Sequence, residues 1–253
     1  MAAALLLAST AEPQGPAQPE TRRSGFDYMS PAIQAIQRDD TQNPAMLWVK
    51  DGEVAWQRDI GPGPRSSCAS CHGDATQSMR GVATRYPAFD ARLDRPISLQ
   101  QRINQCRERY QIAPPLPIES RDLLNLESYV AHQSRGMPVA PPTDARLSPW
   151  RERGERLFGQ RMGQLDLSCA QCHDGLAGKR LGGNPIPQAH LTGFPIYRLE
   201  WQGVGSFQRR LRNCMTGIRA EPFVFGSAET VQLELFLALR ARGMPLETPA
   251  VRP

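Results

Sequence analysis

The chain has 253 residues, enough for two domains of about 100 residues each, yet it is only 7% aromatic and carries 23 prolines and 21 glycines, so much of it must be loop. Its formal net charge of +5 comes almost wholly from arginine, which favours anionic ligands or acidic protein surfaces, and the scattering of those arginines without an interleaved aromatic motif argues against nucleic acid as a partner. No stretch approaches the ~18 apolar residues needed to cross a bilayer, so no membrane span is expected.

Residues 1–23 open with a short apolar run, Ala2 to Ala8, closed by the small residues Ser9 and Ala11. This reads as the end of a secretory signal without its positively charged opening, or else as a bland tail. The Pro-, Gln-, Glu- and Thr-rich segment after it has too little apolar content to order itself. From residue 24 scattered apolar anchors (Phe26, Met29, Ile33, Ile36, Trp48, Trp56) and a helix predicted over Pro31 to Arg38 suggest an N-terminal arm that packs on the domain following it.

Next comes Cys68-Ala69-Ser70-Cys71-His72, and then a helix whose apolar positions Leu99, Ile103, Cys106 and Tyr110 are spaced 4, 3, 4, which puts Cys106 on the face turned to the core. A second helix follows and stops at Gly136-Met137-Pro138. The Pro-rich stretch 135–149 divides the chain, giving a first domain with its arm over 24–141 and a second over 142–253. The second half repeats the plan: Cys169-Ala170-Gln171-Cys172-His173, a helix with Phe207, Leu211, Cys214 and Ile218 at the same 4, 3, 4 spacing, another helix, and Gly243-Met244-Pro245. Ser98 to Cys106 overlies Ser206 to Cys214 at an offset of 108 residues. No strand pattern is expected in either half.

Two cysteines three positions apart match the two vinyl groups of a haem, and the histidine after them ligates the iron. Two such motifs, each followed by the same helical plan, predict two covalently bound haem c groups, attached through Cys68 and Cys71 and through Cys169 and Cys172, with His72 and His173 as metal ligands. Zinc sites would lack ligands, since only His132 and His190 remain outside the motifs. A thioredoxin-like reading would not explain a histidine after both pairs. The fold expected is mostly α, two tandem cytochrome c-like haem domains related by an internal repeat, in a compartment such as the periplasm where haem is attached in this way.

The opposite face of each iron needs a second ligand. Met137 and Met244 come after the last helix of their halves, whereas the distal ligand of a simple cytochrome c precedes it. Cys106 and Cys214 do precede it, and both lie on core-facing stripes. Distal thiolates would lower the haem potentials and make the protein a poor simple electron carrier. A Cys106–Cys214 disulfide or two inert thiols are the alternatives.

The arm (Phe26 to Met29, Asp39-Asp40, Asn43-Pro44, Leu47-Trp48, Asp51-Gly52), both haem motifs, Cys106, and the stretch Arg210, Cys214, Arg219-Ala220-Glu221-Pro222 resemble the SoxA family, over roughly residues 24 to 245. SoxA is the dihaem subunit of the SoxAX cytochrome, an L-cysteine S-thiosulfotransferase. The resemblance implies oxidative coupling of thiosulfate to a cysteine of the carrier SoxYZ, with electrons passing to the monohaem subunit SoxX. It also implies that Cys214 is both distal ligand and persulfide-bearing catalytic cysteine, with Arg210 on the substrate. Arg210 stands one helical turn from Cys214, where a guanidinium offers a planar fork to an oxoanion. Arg102 holds the same position beside Cys106, so a haem-propionate role in both halves is the competing account. Arg219 has only Gln111 opposite it in the repeat, which marks it as a second candidate for substrate binding. Arg209, Arg210, Arg212 and Arg219 flank Cys214, whereas Cys106 has Arg102, Arg107 and Arg109 but also Glu108, so the cationic surplus is expected to be larger at Cys214. A dihaem electron-transfer cytochrome without chemistry of its own is the alternative function.

Overall fold

The computed structural model describes residues 21–253, so the reading of Met1 to Ala11 as a signal remnant lies outside the described residues. In chain order the elements are helices α1 (Pro31–Arg38), α2 (Met46–Gln57), α3 (Cys68–His72) and α4 (Ala75–Ser78), strands β1 (Ala88–Asp90) and β2 (Arg95–Ile97), and helices α5 (Leu99–Tyr110) and α6 (Arg121–His132). The second half continues with α7 (Ser148–Gly159), α8 (Cys169–His173), strands β3 (Arg180–Leu181), β4 (Asn184–Pro185), β5 (Ile196–Arg198) and β6 (Gly203–Gly205), helices α9 (Phe207–Gly217) and α10 (Ala228–Arg240), and β7 (Ala250–Arg252). The chain is predominantly helical, as the periodicity requires, and the helix expected over Pro31 to Arg38 is α1.

Serine sets the start of each helix pair in the repeat. Ser67 and Ser168 cap the two haem-motif helices with reciprocal capping boxes. Ser98 and Ser206 cap α5 and α9, and Ser120 and Ser227 cap α6 and α10. Each hydroxyl satisfies a backbone N–H that the helix itself cannot, worth about 1 kcal/mol. The haem-motif helices have only five residues, so their caps and the packing around them, not helix propensity, hold them.

Each half buries its own core. In the first, Val49, Trp56, Leu99, Tyr129 and Val130 pack together; in the second, Phe158, Phe207, Leu211, Leu233 and Leu237 do so. Both cores rest on a helix that the repeat as first read does not contain: α2 lies 102 residues before α7 and packs on α6 as α7 packs on α10. A glycine makes each crossing possible. A Cβ on Gly52 would stand 2.1 Å from the Asn125 carbonyl oxygen, and one on Gly154 would stand 2.1 Å from that of Gln232. Only hydrogen fits between helix backbones that close. Residues 46–57 are therefore the opening helix of the repeated plan in the first half rather than part of an arm.

The true arm, up to about residue 45, runs elsewhere than expected. It packs chiefly on the second half: the Val251 N–H donates to Gln37 Oε1 at 3.0 Å, Asn43 Nδ2 donates to the Pro249 carbonyl at 3.1 Å, and Arg22 donates to the carbonyls of Arg240 and Arg242, while the Asp40–Arg135 ion pair ties it to the first half. The reason is local chemistry. Polar amide side chains at Gln37 and Asn43 find backbone partners along the segment around β7, which pairs in parallel with β5.

Strands, which the sequence did not suggest, are two or three residues long, too short for an alternating pattern to register. The hairpins β1–β2 and β5–β6 nonetheless form equivalent positions of the repeat, with the same register: Asp90 pairs with Arg95 and Arg198 with Gly203. Each hairpin feeds straight into the helix that carries Cys106 or Cys214.

Two contacts between the halves bring equivalent positions of the repeat together. The Gly-Met-Pro segments pair with each other in antiparallel fashion: Val139 N–H donates to the Met244 carbonyl and Gly243 N–H to that of Val139, while Leu246 N–H donates to Met137 and Gly136 N–H to Leu246, all at 2.8 Å. Between the halves also lies a small cavity of about 50 Å³ onto which Gln100 and Glu127 face from one side and Gln208 and Glu234 from the other. Gln100 Nε2 donates to Glu127 Oε2 at 2.6 Å, and Gln208 makes the equivalent bond to Glu234.

Candidate functional site

Each half encloses a cavity between its short haem-motif helix and its cysteine-bearing helix. Cys68, Cys71, His72, Arg102 and Cys106 line the first, of about 920 Å³. The size lies within the ~300–1,000 Å³ usual for cofactor pockets. Cys169, His173, Arg198, Arg210 and Cys214 line the second. The structure thus gathers the motif residues into one cavity or the other, except Cys172, which is not among those lining the second. Cys106 and Cys214 belong to different cavities, which removes the disulfide reading. Met137 and Met244 line neither cavity; Met244 is buried with Val139, Ala241 and Leu246 at the joint between halves.

The donors fit a covalently attached haem in each half. In the second, His173 Nδ1 lies 2.7 Å from the Pro187 carbonyl oxygen, which fixes the ring so that Nε2 points away and is free to ligate. Cys214 lines the same cavity and makes a hydrogen bond with the same imidazole, so His173 and Cys214 are the two side chains that would hold a haem iron there. An aromatic ring backs the histidine in both halves: Trp56 lies 5.7 Å from His72 and Phe158 lies 6.4 Å from His173. These rings sit at matching positions on α2 and α7. Sequence reading missed them because the repeat was not carried upstream of the cysteine motifs.

The two facing thiols differ electrostatically. Burial pushes the Cys106 thiol up, and Arg102 and Arg109 only partly oppose it. Burial also raises Cys214, but the hydrogen bond with His173 and the charges of Arg210, His173 and Arg198 outweigh it and hold Cys214 below the ordinary thiol range. Cys214 is therefore the more thiolate-like of the pair, and a thiolate is the nucleophilic and metal-binding form.

The source of that charge is narrower than the run of arginines suggests. Arg209 stacks on Trp201 at 4.4 Å, and Arg212 lies over Phe225 at 4.7 Å and donates to the Phe223 carbonyl. Arg219 is exposed past the C-terminal end of α9, with φ of 57°, and is not among the residues lining the cavity. Of the four arginines around Cys214 in the sequence, Arg210 alone lines the cavity. A second guanidinium, Arg198, comes from strand β5 and was not found by sequence reading. The repeat held a signal for it: eight residues before the Ser98/Ser206 match, Pro87-Ala88-Phe89-Asp90 overlies Pro195-Ile196-Tyr197-Arg198 at the same offset of 108.

The model for the SoxA/TsdA cytochrome c domain matches residues 51–139 and 153–246. The chain is 37% identical over 230 residues to the L-cysteine S-thiosulfotransferase subunit SoxA of Pseudaminobacter salicylatoxidans, covering 90% of this chain and 80% of that one. It is 33% identical over 233 residues to the protein of the same description from Paracoccus pantotrophus, covering 92% and 80%. The fold matches the crystal structure of SoxXA from P. pantotrophus with a TM-score of 0.87 at 32% identity, over 92% of this chain and 87% of that chain.

Proposed function

This chain belongs to the SoxA/TsdA cytochrome c family, and from that premise we propose that it is the SoxA subunit of an L-cysteine S-thiosulfotransferase, coupling thiosulfate to a carrier cysteine. In the net reaction a thiosulfate dianion and a carrier thiol form one S–S bond, giving a thiosulfonate and releasing two electrons and one proton. Covalent haem, when bound, supplies the electron acceptor. The observation that carries the reading is the placement of His173 and a thiolate-leaning Cys214 in one cavity beside Arg210, a guanidinium that no carboxylate among the described residues neutralises.

The residues divide the work. Cys68 and Cys71, and Cys169 and Cys172, would tether two haem c groups; His72 with Cys106 and His173 with Cys214 would ligate their irons. Arg210 binds the oxoanion, and Cys214 takes up or releases the sulfane sulfur. Arg219, exposed at the end of α9, meets the anion or the carrier on approach. A SoxX monohaem subunit is the electron-transfer partner and SoxYZ the carrier, in the periplasm. Among the described residues no helix is long and apolar enough to cross a membrane.

A pyridine haemochrome assay is expected to give two haems per chain; one haem per chain would rule out the paired tether assignment. In the complex reconstituted with SoxX and SoxYZ, thiosulfate should add its mass to the carrier cysteine. Arg210→Ala should raise the KM for thiosulfate by about 10- to 100-fold, the effect of losing one charge-assisted partner. It should leave the haem absorption nearly intact. If Arg102→Ala raised KM equally, a propionate role common to both halves would replace the substrate assignment.

A further inference from the structure

Comparing the halves residue by residue separates the arginines that stand one turn before the two cysteines. Arg102, beside Cys106, is saturated: it bridges to Asp90 at 3.0 Å, donates to Gln105 Oε1 at 2.9 Å, and bonds the Tyr86 hydroxyl. At the repeat offset of 108 each of those partners is exchanged. Tyr86 becomes Phe194, which has no hydroxyl; Gln105 becomes Asn213, one methylene shorter; and Asp90 becomes Arg198. Among the described residues Arg210 consequently has no hydrogen-bonded or carboxylate partner, and it faces a like charge instead.

The hairpins invert their charge as a unit. In the first, Asp90 is buried against Arg102 while Arg92, two residues on, is exposed. In the second, Arg198 is buried with only 7% of its side chain exposed, while Glu200, the counterpart of Arg92, has 46% exposed. Because side chains alternate across a strand, this exchange turns a neutralised pair beside one cavity into a pair of cations facing the other. Glu200 does bridge to Arg198, at 2.8 Å to its Nε, and Trp201 lies 5.3 Å from the guanidinium. A half-exposed carboxylate is screened by water, so it offsets less of a buried charge than Asp90 does. A buried Arg198 beside the half-buried Arg210 in one cavity wall is costly unless a counter-anion joins them.

We propose that Arg198 is a second substrate-binding residue: together with Arg210 it clamps the sulfonate end of a dianionic sulfur oxoanion and leaves the outer sulfur directed at Cys214. This rests on the assignment of Arg210 and Cys214 to the substrate site. It adds the specificity, since a pair of guanidiniums matches a tetrahedral dianion better than a thiol, a neutral disulfide or a monocarboxylate.

The test is thiosulfate binding to the intact complex with SoxX, followed by calorimetry in the absence of carrier so that nothing turns over. Arg198→Gln should raise Kd by about 10- to 100-fold. Arg198→Asp, which places opposite Arg210 the partner that Asp90 is to Arg102, should abolish saturable binding. Arg198→Lys keeps the charge but loses the fork, so a several-fold rise is expected, and this variant decides the matter if the glutamine variant loses its haem spectrum. An unchanged Kd in Arg198→Gln or Arg198→Lys, alongside weakened binding in Arg210→Gln, would overturn the proposal and leave the role of Arg210 standing, with Arg198 then serving a haem carboxylate. An unchanged Kd in both the Arg198 and Arg210 variants would overturn the substrate site itself.

Discussion

Replacing Cys214 by alanine should bring thiosulfate coupling down to the assay floor, a loss of about three orders of magnitude or more, as expected when a group that acts covalently is removed. Cys106→Ala, at the equivalent position of the repeat, should retain measurable coupling while changing the spectrum and potential of the first haem. The asymmetry follows from the surroundings. Cys214 is held below the ordinary thiol range by His173, Arg210 and Arg198, whereas burial dominates at Cys106 and Arg102 is already committed to Asp90. Mass spectrometry of the native protein should find one added sulfur on the peptide containing Cys214. Full activity in Cys214→Ala, or added sulfur on Cys106 instead, would move catalysis to the first half.

Stability should fall as pH rises from about 5 to about 8, because of the carboxyls between the halves. Burial pushes Glu127 and Glu234 up to about 8 each, with Glu234 and Glu119 adding like-charge pressure on Glu127 and the Gln100 and Gln208 bonds opposing the rise. Unfolded, both would ionise near the ordinary glutamate value of 4.5. Between those values the folded state binds more protons than the unfolded state, so raising the pH favours unfolding, by at most about 1.4 kcal/mol per pH unit for each carboxyl. Above about 8 both states are ionised and the slope disappears. Urea midpoints of the holoprotein across this range would show it, and a Glu127→Gln, Glu234→Gln double variant should flatten the profile and be the more stable form at the alkaline end. A midpoint independent of pH in the native protein would mean that the carboxyls are ionised when folded.

How much of this was legible in the sequence depends on what each residue must do. The haem tethers were plain, because Cys-x-x-Cys-His is fixed by the covalent geometry of the group it holds. Cys106 and Cys214 were nearly so, since a helical stripe shows which side chains face inward. Arg198 was not, because its strand has only three residues and its significance appears only against Asp90 across the repeat. Arg209 and Arg212 stood closer to Cys214 in sequence but are taken up by Trp201, Phe225 and the Phe223 carbonyl, a competition no spacing rule reveals. The arm was misassigned for a related reason: its apolar residues announce burial, but its amides at Gln37 and Asn43 choose where.

The antiparallel pairing of the two Gly-Met-Pro segments bears on how a duplicated chain can diverge. Four N–H to carbonyl bonds join the halves there, and backbone atoms are common to every residue type except for the missing proline N–H. Such a joint keeps its register while the side chains around it drift. After a gene duplication, the two copies can therefore come to hold an aspartate in one and an arginine in the other, and take on different tasks, without either losing its seat against its sister.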